Sequence, residues 1–396
     1  MKVTQIYEIL NDVIGETLGE TAIVNEDLSN IVDIGTNLQN ADIVDKYVKK
    51  LVNRIGKTVF VDRVYKESGP SIMMDGWEYG SIMQKIMAEL PDSTENSSWD
   101  LNNGETYNQD IFYQPEVYQL FFNNMVTYEV DMSFAHKQVK QSFANPTQLN
   151  AFFSMIENRI RMRLTIDYDN LKMRTINSFT AATLSKDYGT AGRGTKSGVR
   201  AVNLLYLYNA MFPDAKATKA NCLFKPEFIR FASRQIALTT ERLRKASRMY
   251  NIGGQARFTP SELQHLILLS EFAKSANVYL QSDTFHEEFT ALPKSEEVPY
   301  WQGSGTDYGF DSTGYINVSV PNPANTQTKV QIQQGGILGV LFDHEALGVN
   351  CAENRVTSHT NNKAEFYSNF YKSDARYFND WNEQFVVFFV EDAPAA

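Results

Sequence analysis

The chain has 396 residues, of which 43% are hydrophobic and 21% charged, with a formal net charge of −10 and an isoelectric point near 5.2. That length exceeds what one hydrophobic core serves, so two or three lobes are expected. The acidic balance, with no basic patch visible in the sequence, excludes tight direct binding to DNA or RNA. Two cysteines, Cys222 and Cys351, exclude a disulfide framework and make a reducing compartment the default.

The N-terminus, MKVTQIYEIL, lacks the apolar core of a signal peptide, and no run of about 18 apolar residues offers a transmembrane helix, so no membrane partner is expected. Asn96 and Asn317 stand in N-x-S sequons, which carry no meaning without secretion. Aromatic residues reach 12%, with 25 Phe and 20 Tyr crowded into few segments. Such crowding suits large packed surfaces between elements or between chains.

In chain order, Met1–Asn40 is polar and weakly patterned, and reads as an extended arm ordered by a partner surface. Asp42–Ile55 reads as a helix stopped by Gly56, and Thr58–Tyr65 as a strand. Glu67–Tyr113 is a long, turn-rich excursion, within which Ser81–Leu90 fits a strand or a short helix. Val117–Phe122 and Thr127–Phe134 read as strands, the second with Tyr128, Val130, Met132 and Phe134 on one face. The simplest assembly is a long two-stranded loop. An isolated hairpin is barely stable in water, so this one should lie on another surface, such as a neighbouring subunit.

The longest element runs from Asn145 to about Lys186. Asn145 is a good N-cap and Pro146 a good first helical residue. Leu149, Phe153, Ile156, Ile160, Leu164 and Leu171 then draw an apolar stripe along one helical face. The result is a rod of roughly 50 Å or more, a strut rather than an active-site wall, with a break near Asp167 as the alternative.

A glycine-rich breaker, DYGTAGRGTKSG, follows. Asn203–Met211 reads as helix and Ala220–Phe224 as strand. Pro226–Tyr250 reads as a second long helix, with Arg242, Arg244, Lys245 and Arg248 at its C-terminal dipole end. FTPSELQHLILLSEFAKSANVYLQ supplies a turn, a buried strand and a further helix. Glu287–Pro323 reads as irregular, and Val330–Phe342 as two strands around a Gly-Gly turn. Val356–Val390 is strand-like and aromatic and closes on a buried run, FVVFFV.

Tests for chemistry return no candidate catalytic, cofactor-binding or metal-binding residue. Gly189, Gly192 and Gly194 precede Thr195, Lys196 and Ser197, but a phosphate loop needs Gly-Lys-Ser/Thr contiguous and joins a strand to a helix. A plain surface loop is the stronger reading. His136, His265, His286, His344 and His359 lack ligand spacing. His286 beside Glu287 and Glu288, and His344 between Asp343 and Glu345, are the His-acid clusters, read as exposed loop residues. Cys222 reads as a buried, inert thiol. Asp167 and Asp169 point to different faces of a helix. The aromatic group Trp99, Tyr107, Phe112 and Tyr113 reads as a loop anchor on a protein surface.

In this order the elements resemble those of tailed-bacteriophage major capsid proteins. Three stretches carry the resemblance: DKYVKKLVNRIGKTVFVDRVY; the helix ending RMYNIGG with FTPSELQHLILL; and EFYSNFYKSDARYFNDWNEQFVVFFV. The resemblance is one of layout and local texture, without an invariant motif. It implies an α+β capsid fold of the tailed-phage/herpesvirus type. Its parts would be an N-terminal arm (1–66), an extended β-hairpin loop (67–131), a peripheral domain with the spine helix (132–203), an apical α/β domain (204–344) and a C-terminal return to the peripheral domain (345–396). It implies a non-enzymatic protein without cofactors that assembles with itself, as pentamers and hexamers, into an icosahedral shell around phage DNA. Its acidic surface would face that DNA without sequence-specific binding. A separate scaffolding protein, a portal, no N-terminal processing and assembly in the bacterial cytoplasm are further expectations. The alternative is another virion or surface-array protein, such as a tail or baseplate component; an intracellular enzyme ranks third. On net charge alone, assembly should speed up as salt screens the repulsion.

Overall fold

The computed structural model describes residues 69–74, 82–91, 93, 95, 102–106, 110–112, 114–135, 146–281, 295–302, 310–322 and 325–394. The expected arm, with its helix at Asp42–Ile55 and strand at Thr58–Tyr65, lies outside these residues.

The strands are β1 (Met83–Ala88), β2 (Val117–Phe122), β3 (Met125–Ala135), β4 (Ala201–Asn203), β5 (Gln264–Leu269), β6 (Glu296–Val298), β7 (Ile316–Asn322), β8 (Asn325–Gln334), β9 (Ile337–Asp343), β10 (Leu347–Asn361), β11 (Phe366–Asn379) and β12 (Phe385–Phe389). The helices are α1 (Pro146–Tyr188), α2 (Leu204–Met211), α3 (Pro226–Leu243), α4 (Ser270–Gln281) and the single turn α5 (Phe310–Thr313).

Helix α1 begins at Pro146, as the Asn145–Pro146 pair predicts, and runs unbroken for 43 residues. At Asp167, where the apolar pattern weakens, the Arg163 guanidinium donates to its carboxylate at 3.0 Å one turn away, and the helix continues. Ile160 and Leu164 are buried, while Met162 and Ile166 beside them are exposed. Further on the helix is enclosed on nearly every side, with Leu171, Ile176, Phe179 and Leu184 buried alongside Thr175, Thr180 and Thr183. The Thr175 and Thr183 hydroxyls donate to the carbonyls of Leu171 and Phe179 at 2.8 and 3.0 Å. Those bonds let polar residues enter the core.

A five-stranded sheet in the order β4-β12-β9-β5-β6 forms the centre. β12 pairs parallel to β4 and antiparallel to β9, and β5 pairs antiparallel to β9 and parallel to β6. Both faces are covered, which is why FVVFFV and LILL read as continuous apolar runs. Phe385, Val387, Phe389, Ile267 and Leu269 face the core that contains α1. Val386, Phe388, Val390, Leu266 and Leu268 face a second core under α2, α3 and α4. A register shift lets β9 keep both faces filled: Gly339 opposes Phe388, and Ile337 opposes Phe389. A β-carbon on Gly339 would lie 2.6 Å from Leu268 Cδ2 and 2.8 Å from the Ile267 carbonyl.

A second, antiparallel sheet has the order β10-β11-β3. Residues 72–74 run beside β10, where Met73 bridges to Val349. The α1 residue Tyr168 reaches this sheet through a 2.7 Å hydrogen bond between its hydroxyl and that of Ser373. The antiparallel pairs β1-β2 and β7-β8 complete the described structure.

Five sequence expectations are corrected. Ala220–Phe224 is no strand: Phe224 and Lys225 donate three residues back, forming a 3-10 turn at Cys222–Phe224. Helix α3 stops at Leu243, short of Tyr250. There the Leu243 carbonyl accepts the Thr259 amide at 2.8 Å, and the Tyr250 carbonyl accepts the Phe385 amide at 2.9 Å, so neither can continue a helix. The described parts of Glu287–Pro323 hold β6, α5 and β7 rather than irregular chain. β3 pairs with β11 and not with β2, so only β1 and β2 form the hairpin of the excursion. β8 and β9 flank Gly335–Gly336 as expected but belong to different sheets.

Candidate functional site

The most distinctive surface feature is the β1-β2 hairpin. Its register sets Gln84 opposite Phe121 and Ala88 opposite Val117. Along β1, Met83, Lys85 and Met87 turn inward, and Gln84, Ile86 and Ala88 turn outward.

The inner face is docked on the body. Lys85 Nζ lies 2.9 Å from Asp380 Oδ2 and 2.8 Å from Glu383 Oε1. Burial opposes its charge, but the hydrogen bond to Glu383 and the nearby Asp380 carboxylate prevail and hold the ammonium above its usual 10.5. The Arg257 guanidinium donates to Met87 Sδ at 2.6 Å. Phe122 packs on Phe378 with ring centroids 5.2 Å apart. At the hairpin's end Glu89 lies 3.7 Å from Arg248. The Tyr118 hydroxyl donates to Glu89 and Glu116 at 2.9 and 3.1 Å, which pushes its pKa up to about 12.

The outer face carries exposed apolar side chains alongside Gln84 and Gln119. Ile86 and Phe121 are each 61% exposed, and Ile82, Leu90 and Val117 are exposed around them. Several large exposed apolar side chains grouped on one face of this kind mark an interaction surface.

The glycine loop proves to be a clasp. Gly189 and Gly192 adopt φ of 66° and 85°, which turn the chain out of α1. The Asp187 carboxylate accepts the amides of Arg200 and Ala201 at 2.8 and 2.9 Å, and the Arg200 Nε–H at 2.8 Å. The buried Asn203 amide donates to the carbonyls of Arg193 and Glu391, and its oxygen accepts the Tyr206 amide that starts α2. A β-carbon on Gly194 would lie 2.0 Å from the Asp392 carbonyl. A groove of about 410 Å³ beside the loop carries Arg193 and Lys219 together with Glu391 and Asp392. Its mixed charge does not resemble a phosphate cradle.

The remaining candidates are dispersed. His136, His286, Trp99, Tyr107 and Tyr113 lie outside the described residues, and Phe112 is 84% exposed. His265 stacks on Phe342 and places Nε2 3.0 Å from Glu296 Oε2. Glu296 also accepts the Ser71 amide at 2.9 Å and the Ser71 hydroxyl. Burial alone would raise the Glu296 carboxyl, but the His265 and Ser71 hydrogen bonds bring it down to about 2. His344 and His359 are exposed. Cys222 is buried, and burial pushes its thiol up to about 12, the reverse of what a nucleophile needs. Asp167 pairs with Arg163 and Asp169 with Lys172. Among the described residues no group of three or more His, Cys, Asp and Glu is placed to hold a metal ion. Sequence reasoning missed Lys85, although a lone lysine at an inward position of MQKIMA was a signal.

The Phi29-like phage major capsid protein family matches residues 7–389. The chain belongs to that family: it is a phage major capsid protein, a structural component of the virion. The tail, baseplate and surface-array alternative is thereby set aside. The chain is also similar to the capsid of Staphylococcus phage Andhra, with 8% identity, a TM-score of 0.46, and 83% of this chain and 87% of that chain covered. The capsid of cyanophage P-SCSP1u gives 9% identity and a TM-score of 0.44 over 84% and 92%. The mature capsid of bacteriophage PhiM1 gives 8% and 0.41 over 80% and 83%. No curated protein matches the chain.

Proposed function

We propose that this capsid protein assembles with itself, as pentamers and hexamers, into a closed icosahedral shell around phage DNA, and that it works without catalysis or a cofactor. The carrying observation is the hairpin, fastened inside by Lys85 and carrying exposed apolar side chains outside. Covering that outer face with a neighbouring subunit yields about 25 cal/mol per Å², and repeating the contact around a shell sums many modest attractions. Residues 1–66 act as an arm and 67–131 as an extended loop, with β3 anchoring the loop's return in the β10-β11-β3 sheet. Residues 132–203 form the peripheral domain around α1, and 204–344 an apical domain. Residues 345–396 return to the periphery, with β12 lying between β4 and β9 in the five-stranded sheet. Assembly takes place in the host cytoplasm with a separate scaffolding protein and a portal, and the packaged DNA is faced without sequence-specific contacts. Negative-stain electron microscopy of the purified protein, alone and with candidate scaffolds, tests this reading. Closed shells of uniform diameter or free pentamers and hexamers support it; a monomer under every condition overturns it.

A further inference from the structure

The overall charge of −10 conceals a local excess of the opposite sign. From Pro226 to Arg257 there are seven basic residues and two acidic ones, and no aspartate or glutamate falls between Glu241 and Glu262. This excess belongs to α3 and the turn that follows it.

Helix α3 sorts its residues by face. Phe228, Ile229, Ala232, Ile236 and Leu243 are buried in the core beneath α2, α3 and α4. Arg230 and Arg234, one turn apart, are exposed, and so is Arg242 in the last turn. Because α3 stops at Leu243, Arg244, Lys245 and Arg248 stand exposed on the turn after it. From Arg230 to Arg242 the helix rises about 18 Å, a length over which duplex DNA presents roughly ten phosphates. Arg244 pairs with Glu241 at 2.9 Å, and Arg248 lies 3.7 Å from Glu89. The chain has 47 acidic residues against 37 basic ones, yet Arg234, Arg242 and Lys245 form no ion pair among the described residues. All but one of these cations are arginines, whose planar fork matches phosphate oxygens.

We propose that the exposed face of α3 and the turn after it bind the phosphate backbone of duplex DNA, so that each subunit holds packaged DNA through a few sequence-independent contacts. Contacts to phosphate position a duplex without reading its bases. The acidic balance of the whole chain still excludes tight binding by one subunit; the patch works through the number of copies in a shell. This inference rests on the capsid reading and names the surface that meets the DNA.

Fluorescence anisotropy of the full-length protein with a labelled 20-base-pair duplex of arbitrary sequence, on the order of two helical turns, tests it. With about three phosphates neutralised, wild-type affinity should fall roughly fortyfold between about 50 and about 200 mM salt. Arg234→Gln/Arg242→Gln/Lys245→Gln should bind about tenfold or more weakly at the lower salt and flatten that dependence. Arg234→Lys/Arg242→Lys keeps the charge and should bind within about threefold of the wild type. Circular dichroism melts matching the wild type separate lost contact from lost fold. Unchanged duplex affinity in the glutamine variant, or no saturable binding by the wild type at about 50 mM salt, would overturn the phosphate surface. Loss of binding in the lysine variant would overturn its electrostatic basis. Poly-glutamate displacing the duplex at equal charge concentration would give the surface to an acidic protein partner instead. Negative-stain microscopy of the same samples keeps the two readings apart: the glutamine variant should still form closed shells, and the capsid reading fails only if the wild type gives neither shells nor free pentamers and hexamers.

Discussion

Lys85 Nζ stands 2.9 Å from a carboxylate oxygen of Asp380, whose side chain has no solvent exposure. A strand that looks like the start of a surface loop is thus pinned to the body by an ion pair. Lys85→Met leaves the Asp380 charge without its partner and should destabilise the subunit by about 2 kcal/mol or more. The Lys85 pKa is raised in the folded state, so its contribution is fully present below about pH 10.5 and lost as pH rises beyond its folded value. Thermal melts from pH 9 upward should show the wild-type advantage over Lys85→Met shrinking above pH 10.5.

Glu296 has the opposite dependence. Its carboxyl is held down to about 2, against 4.5 unfolded, by His265 and Ser71. Its contribution is present above pH 4.5 and disappears as pH falls toward 2. The side chain is 37% exposed, so screening leaves about 1 kcal/mol. Glu296→Gln should lower stability at pH 7 and flatten the acid limb of the stability curve between pH 4.5 and 2. An unchanged acid limb would remove Glu296 from the account.

Gly339→Ala tests the central sheet. The added methyl meets Leu268 and the Ile267 carbonyl, and overpacking there should cost about 2–3 kcal/mol. Denaturant titration should give a lower midpoint with an unchanged slope.

Asn203 caps α2 while holding two loop carbonyls. Asn203→Ala removes the cap and leaves those acceptors unpaired, costing about 2–3 kcal/mol. Hydrogen exchange should show the loss at the amides of Tyr206 and Glu391 first.

The legible parts of the fold were those fixed by local chemistry. The Asn145–Pro146 start located α1, and LILL and FVVFFV located β5 and β12, because a strand buried on both faces is apolar at every position. The enclosure of α1's second half was hidden by Thr175, Thr180 and Thr183, which read as polar in sequence but return hydrogen bonds to their own helix or pack into the core. The end of α3 was misplaced because Thr259, in a later segment, claims the carbonyl of Leu243, and Phe385, more distant still, holds that of Tyr250 beyond the helix. The pairing of β3 with β11 spans some 240 residues, and no local pattern encodes it. For the surfaces, the exposed side of the hairpin was not legible, because Ser81–Leu90 fits a strand or a short helix and Gln84 alternates with Ile86 on that side. The partner of Lys85 was not legible either, because Asp380 lies at the other end of the chain.

The outer face of the hairpin is the claim on which the account turns. The direct measurement is sedimentation velocity with negative-stain microscopy on wild type and on Ile86→Ser/Phe121→Ser. Both positions are solvent-facing, so the fold should survive the change. The account predicts closed shells from the wild type and folded, unassembled subunits or small oligomers from the variant. Shells of normal yield and diameter from the variant would contradict it.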